Sequence, residues 1–294
     1  MPTDENGGEA QDLQRTLKRM DYPDAVVDAN EIYEYLGKRV VEHTTQSGRA
    51  LAIKLMLPPD KDDYDENRSE AAMMHYAATH GVQAPKVQGV YEIVTTRPNK
   101  PIAVAMVSER ASGMRLSDVW QDLDRPTQDN IKDQLRQQLA HMRACTSEEI
   151  GRLSGTPTYN IYDRLATTLC GPFSDEEAFD DWCLARVPEG LWGLQRKRWA
   201  RWLEKERSKS GGKTRFVLTH GDLTPRNIIV DNGKITGIID WERSGFFPEY
   251  AEYAFAVQFG HNIERWWLPV LKEVLQPCCK KRLQFTKLAE DRGW

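Results

Sequence analysis

The chain has 294 residues, 40% of them hydrophobic and 29% charged, which allows a buried core and argues against wholesale disorder. Lys and Arg number 40 against 44 Asp and Glu, a net charge of -4, which speaks against a surface built for nucleic acid phosphates. No apolar run approaches the roughly 20 residues that span a bilayer, and the acidic, glycine-rich stretch Met1 to Ala10 holds no apolar signal core. The five cysteines, Cys145, Cys170, Cys183, Cys278 and Cys279, are odd in number and follow no metal spacing. A zinc finger and a secreted disulfide scaffold are thereby excluded, and a reducing, cytoplasmic setting is expected.

In chain order, residues 1–10 read as a loose tail and Asp12 to Met20 as a short helix ending before Asp21-Tyr22-Pro23. Ile32 to His43 alternates imperfectly, and Ala50 to Leu57 reads as a strand with Ile53 and Leu55 on one face. Pro58-Pro59 ends it, since proline removes ladder donors. Asn67 to Thr79 has helical spacing, with Glu70, Met74 and Ala77 on one face, and Gly81 closes it. Val87 to Thr95 and Ile102 to Glu109 are two further strands. Helices then dominate: Leu116 to Leu123, Thr127 to Cys145, Ser174 to Ala185 and Leu191 to Ser208. Phe216 to Thr219 is a short strand, Asn227 to Asp240 a hairpin, and helices resume from about Glu249. The shift near residue 110 divides the chain into a tail over 1–28, a small β-rich lobe over 29–110 and a helical lobe over 111–294.

The hairpin carries the chemistry. Asp231-Asn232-Gly233 is a strong turn signal, because positive φ comes most easily to Asn and Gly. The flanking runs, Ile228 to Val230 and Ile235 to Ile239, are β-branched. A hairpin brings its open ends together, so Asn227 and Asp240 set an amide oxygen beside a carboxylate. Such oxygen ligands suit Mg²⁺, and Asp222, five residues before Asn227, can face the same point. Two carboxylates and an amide in this order suggest metal-assisted phosphoryl transfer. The layout matches that of kinases: an Asp, an Asn five residues on, and a second Asp after a hairpin. His220-Gly221 stands where protein kinases have His-Arg, and Trp241-Glu242 where they have Phe-Gly.

On His220-Gly-Asp-Leu-Thr-Pro-Arg-Asn227 and Ile238-Ile-Asp-Trp-Glu242, the chain resembles the aminoglycoside phosphotransferase/choline kinase family. Ser244-Gly-Phe-Phe-Pro-Glu-Tyr-Ala-Glu-Tyr253 and Gly171-Pro-Phe-Ser174 resemble its fungal branch. The resemblance runs from about residue 30 to about residue 260. It implies an α+β, two-lobed, protein-kinase-like fold with an ATP cleft between the lobes. It also implies ATP- and Mg²⁺-dependent phosphorylation of a small-molecule hydroxyl. Asp222 would orient the acceptor and take its proton, and Asn227 and Asp240 would hold Mg²⁺. His220 would support the loop.

Leu51-Ala-Ile-Lys54 matches the kinase strand motif that places a lysine on the nucleotide phosphates. Glu70, on the inward face of its helix, can hold Lys54; the alternative is a capping box, Asn67-x-x-Glu70. Ile102 to Glu109 with Arg110-Ala-Ser-Gly113 matches the family's hinge, so main-chain groups of Glu109 and Ala111 would contact adenine. A glycine-rich phosphate loop is absent, which argues against a protein kinase, and Tyr35 to Lys38 is the best candidate for its place.

Other features have simpler readings. Asp175, Glu176, Glu177, Asp180 and Asp181 could greet a cationic substrate, but Ser174 with Glu177 also makes a capping box. Trp192, Trp199 and Trp202 form one helical stripe that reads as core. Arg196-Lys-Arg198 reads as a solvated face, and no nucleic acid or membrane partner is expected. The chain is expected to be a monomer or weak dimer. A kinase-fold regulator that binds nucleotide without turnover, or a fold recruited for other chemistry on a fungal metabolite, stays open beside the phosphotransferase reading.

Overall fold

The computed structural model describes residues 18–20, 30–35, 38–45, 48–56, 66–94, 102–160, 168–190, 193–209, 215–260 and 264–289. The chain divides into two compact units, Met1–Gly113 with Thr236–Glu242, and Met114–Ile235 with Arg243–Trp294. The sequence expectation assigned all of 111–294 to the helical part. Thr236–Glu242 instead belongs with the first unit, because Ile238 donates its N–H to Gln83 O at 2.7 Å and Asp240 pairs with Lys54.

The first unit is built on a six-stranded sheet of order β1-β5-β6-β4-β3-β2. Its elements are β1 (Lys18–Met20), β2 (Asn30–Tyr35), β3 (Lys38–Thr44), β4 (Ala50–Met56), α1 (Glu66–Thr79), β5 (Val87–Val94) and β6 (Ile102–Glu109). The stretch Ile32 to His43 is two strands, paired as a hairpin from Asn30↔Glu42 to Tyr35↔Lys38. Lys18–Met20 is a strand parallel to β5, not the end of a helix; the open edge of β5 offers main-chain partners that no local pattern announces. Residues 12–17 lie outside the described part. On β4 the two-residue period puts Leu51 and Ile53 into a cluster with Val41, Ala105 and Val107, and Lys54 onto the opposite face. The helix α1 lies against β5 and β6, burying Ala71, Met73, Met74 and Ala77 with Glu70 among them. Gly81 follows with φ 84, the left-handed cap that glycine makes without strain.

The second unit is mostly helical. Its elements are β7 (Met114–Arg115), α2 (Leu116–Val119), α3 (Arg125–Ala144), β8 (Thr146–Ser147), β9 (Thr158–Tyr159), β10 (Leu169–Cys170), α4 (Glu176–Arg186), α5 (Leu194–Lys209), β11 (Phe216–Thr219), β12 (Ile228–Asp231), β13 (Lys234–Ile238), β14 (Gly245–Pro248), α6 (Ala251–Gly260), α7 (Trp267–Val274) and α8 (Lys280–Ala289). Along β13 the chain passes into the first unit at Thr236. Asp124 caps α3 by accepting Thr127 N–H at 2.9 Å, and Ile131, Leu135, Leu139 and Met142 form its buried stripe. Four buried residues make β11 the central strand of the sheet β14-β11-β8. Around it, Phe247 meets Phe179 at 5.8 Å and Phe255 at 5.5 Å, edge to face in both cases. Trp199 and Trp202 sit edge to face at 5.5 Å, and Trp199 lies 5.5 Å from Phe285 of α8, a packing role; Trp192 is outside the described residues.

Candidate functional site

In the first unit, strand period, helix face and a returning chain segment converge on one cation. Lys54 Nζ donates to Glu70 Oε2 at 2.8 Å and Oε1 at 3.0 Å, and to Asp240 Oδ1 at 3.0 Å. Glu242 Oε2 lies 3.6 Å away. The lysine side chain is 12% exposed, Glu70 3%, Glu242 19% and Asp240 37%, so the cluster is sealed on the Glu70 side and open on the Asp240 side. Burial by itself would lower the Lys54 pKa, but Asp240, Glu70 and Glu242 raise it well above the ordinary value. Burial raises the Glu70 pKa, as do Asp240 and Glu242, while Lys54 opposes them. One cation thus faces three carboxylates. Asp240 holds φ 65, an unusual conformation that Asp tolerates better than most residues. The capping-box reading of Glu70 fails, because Asn67 lies inside α1 and the carboxylate is engaged by Lys54.

In the second unit, the chain leaves β11 through His220, Gly221 and Asp222 and makes a short 3₁₀ turn over Pro225–Asn227. Asn227 Nδ2 donates to Asp222 O at 2.9 Å and to Asp222 Oδ2 at 3.1 Å. The amide is thereby oriented, with its nitrogen toward Asp222 and its oxygen as the remaining acceptor end. Asp222 N–H donates to His220 Nδ1 at 3.3 Å, and His220 is fully buried. His220 therefore lies at the base of the loop, its ring nitrogen bound to the Asp222 main chain. Next along the chain, Asn232 and Gly233 take φ 47 and 72, the turn expected from Asp-Asn-Gly. Gly233 O accepts from Gln134 Nε2 at 2.9 Å and Asn130 Nδ2 at 3.0 Å, so α3 pins the turn.

Gly221 explains the departure from His-Arg. Its φ is 80, and a Cβ there would stand 2.4 Å from Arg243 O. No side chain fits between the loop and that carbonyl.

The remaining expectations fare unevenly. Glu109 N–H donates to Lys86 O at 2.9 Å and Arg110 N–H to Ala50 O at 3.0 Å, so the first main-chain N–H beyond the ladder is that of Ala111. Tyr35 and Lys38 pair at the end of the β2–β3 hairpin; residues 36–37 between them are outside the described part. The cap of α4 is Asp175, not Ser174: Asp175 Oδ1 accepts Ala178 N–H at 2.8 Å, and Ser174 Oγ merely donates to Asp175. Three acids of this helix face arginines. Asp180 is fully buried and binds Arg282 at 2.9 Å and Arg207 at 2.8 Å; Glu176 lies 3.5 Å from Arg282, and Glu177 3.4 Å from Arg207. These three serve the fold, whereas Asp181 is exposed.

Sequence reasoning passed over two carboxylates. Glu242 was visible inside the Ile-Ile-Asp-Trp-Glu motif but received no role. Glu252, on α6, accepts His220 N–H at 2.5 Å and Gly221 N–H at 3.3 Å; it lies inside the Ser244–Tyr253 segment but received no role.

The donor chemistry suits a hard divalent cation. Asp240 and Glu242, with Glu70, bring carboxylate oxygens within 4.8 Å of one another in the first unit. Asn227 offers an amide oxygen in the second. All are oxygen ligands of the kind Mg²⁺ prefers, and no soft sulfur donor is among them.

Residues 36–275 match the phosphotransferase enzyme family, APH. No curated protein sequence matches the chain. Among solved structures, the putative fructosamine-3-kinase of Thermobifida fusca YX-ER1 is similar with a TM-score of 0.57 and 16% identity, over 95% of this chain and 88% of that one. The apo form of a thermostable mutant of aminoglycoside phosphotransferase APH(4)-Ia is similar at 0.53 and 16% identity, over 89% and 84%. A thermostable mutant of the same enzyme in ternary complex with AMP-PNP and hygromycin B follows at 0.51 and 17%, over 89% and 83%. These likenesses establish the fold, a protein-kinase-like α+β architecture with a β-sheet N-terminal region and a helical C-terminal region. With the family matched over most of its length, the chain belongs to the phosphotransferase enzyme family.

Proposed function

We propose that this phosphotransferase moves the γ-phosphoryl group of ATP, with Mg²⁺, to a hydroxyl of a small molecule. The observation that carries the reading is Lys54, held between Glu70 at 2.8 Å and Asp240 at 3.0 Å. A lysine kept charged and pinned on a strand is what a nucleotide's phosphates require. The first unit is the nucleotide-holding part, and Ala111 and the carbonyl end of Glu109 are its adenine contacts. The second unit supplies Asp222 and the acceptor side. The AMP-PNP and hygromycin B in the similar structure support a nucleotide and a small-molecule acceptor of this general kind. The five free cysteines support a cytoplasmic setting.

In this mechanism Asp222 Oδ orients the acceptor hydroxyl and receives its proton as the new ester forms. Asn227 steadies Asp222 through its amide nitrogen. Asn227 and Asp240 would be the residues that hold Mg²⁺, with Glu242 as a further carboxylate beside Asp240. Mg²⁺, when bound, neutralises charge on the transferring phosphoryl group. Lys54 holds the phosphates, and Glu70 fixes Lys54. The protein's share is positioning and charge complementarity. The arginine-paired acids of α4 take no part in acceptor binding.

The test is ADP release and phosphate incorporation with Mg-ATP across a panel of hydroxyl acceptors. Asp222→Ala and Asp240→Ala are each expected to abolish transfer. Full transfer by Asp240→Ala would sink the assignment. Mg-ATP binding in calorimetry with no product from any acceptor would favour a non-catalytic nucleotide binder.

A further inference from the structure

The helix α5 has two unlike sides. Its inner side is apolar: Leu203 is buried, and Trp199 and Trp202 lie 5.5 and 6.4 Å from Phe285 of α8. On its outer side Lys197, Arg198, Arg201 and Lys205 are all exposed, at the three- and four-residue spacing of one helical face. From α8, Lys280 and Lys281 are exposed too. Lys281 Nζ stands 5.1 Å from the Trp202 ring and 5.6 Å from that of Trp199, so the cations of α8 join those of α5 across a seam of half-buried indole.

These six cations differ from their neighbours. Arg196, Arg207, Lys209 and Arg282 of the same helices are paired, with Glu189, Asp180, Glu206 and Asp180 respectively. None of the six pairs with a carboxylate among the described residues. Glu204 is the exposed acid of the outer side. A solvated face commonly intersperses both signs, whereas this one concentrates a single sign on a chain of net charge -4.

A second observation narrows the partner. Leu194 is 57% exposed and heads the same face, three residues before Lys197 and seven before Arg201. Water solvates the cations well but gains nothing from the leucine. An anionic bilayer answers both, with phosphate and carboxylate headgroups at its surface and hydrocarbon just beneath. Indoles are also at home at that boundary. A nucleic acid duplex offers phosphates but no apolar phase for Leu194.

We propose that the α5–α8 face docks peripherally on an anionic phospholipid surface: Lys197, Arg198, Arg201, Lys205, Lys280 and Lys281 meet the headgroups, and Leu194 enters the acyl boundary. From the sequence pattern alone α5 reads as a solvated face with no membrane partner. That pattern reaches neither the lysines of α8 nor the exposure of Leu194. The proposal stands apart from the phosphotransfer reading, since it uses none of the residues assigned to that chemistry.

The experiment is cosedimentation of the full chain with vesicles of phosphatidylcholine alone and of phosphatidylcholine with about 30% phosphatidylserine. The chain is expected to sediment with the anionic vesicles and to stay in solution with the neutral ones. Raising salt from about 0.1 M to about 1 M should release it, because the screening length falls from about 10 to about 3 Å. Combined Lys197→Glu, Arg201→Glu and Lys205→Glu should weaken binding at least about a hundredfold, at about fivefold or more for each change. Leu194→Ala should weaken it about tenfold. The positions are exposed, so thermal midpoints should stay within about 2 °C of wild type. If the triple glutamate chain does not fold, the same three positions changed to Gln decide. Failure to bind the anionic vesicles, equal binding to both kinds, or wild-type binding by the triple variant overturns the proposal. Wild-type binding by Leu194→Ala overturns the insertion. Binding to double-stranded DNA or to polyglutamate without vesicle binding gives the face to another polyanion and overturns the lipid.

Discussion

Lys54 in the first unit and Arg282 in the second are both buried among carboxylates, and the two clusters are built differently. Arg282 in the second unit is 5% exposed, with Asp180 at 1% and Glu176 at 10%. The Tyr250 ring lies 4.2 Å from its guanidinium, and Trp202 at 5.2 Å. Asp180 is shared with Arg207, so cations and anions come close to balance. Lys54 in the first unit meets three carboxylates, and one of them, Asp240, is 37% exposed. A sealed, balanced cluster is a strut between helices: it ties α8 to α4. A cluster with a carboxylate open to solvent is a place for further cations and what they carry. Chemistry is thus legible in exposure and charge balance, not in the mere presence of a buried ion pair.

Variants can break this contrast. Asp240→Asn should cost phosphotransfer about a thousandfold or more, with stability in urea changed by less than about 1 kcal/mol because the group is partly exposed. A stability loss as large as that of Arg282→Met would erase the distinction. Arg282→Met should cost about 3–5 kcal/mol in urea unfolding, since it leaves buried Asp180 with half its pairing. Its activity per folded molecule should stay near wild type. Gly221→Ala tests the crowding around the loop: strain at positive φ and the contact with Arg243 O together should cost about 2–4 kcal/mol. The smallest effect concerns Cys278, beside the Arg282 cluster, whose thiol is pushed up to about 11 chiefly by burial. At neutral pH it stays protonated, so exposed Cys279 should be alkylated first. Mass spectrometry should show Cys278 labelling accelerate as pH approaches 11, and slow further at neutral pH in Arg282→Met, because the guanidinium charge favours the thiolate.

Much of the site could be read in advance where a residue's role depends on near neighbours. The match of Leu51-Ala-Ile-Lys54 to the kinase strand motif and the helix face of Glu70 pair these two residues, which lie 2.8 Å apart. The turn at Asn232-Gly233 followed from backbone preference alone. Misreadings came where the partner was remote. The acids of α4 read as a helix cap or a cation site, and neither reading reaches Arg207 and Arg282, which stand 27 and 102 residues from Asp180. Lys18–Met20 gave no strand signal, because its partner is the edge of β5. Glu252 lies in the Ser244–Tyr253 motif, but its partner His220 is 32 residues away.

The sequence by itself determined the periodicities, the turn, the oxygen-rich residue set and the family resemblance, because each rests on covalent neighbours and backbone preference. Tertiary structure alone decided which charges are spent and which are open. It put two arginines on Asp180, left Asp240 and Glu242 on Lys54, and sent Glu252 to the amides before Asp222. The reason is physical: the worth of a charge or a hydrogen bond is set by distance and burial in space, and neither is a function of separation along the chain.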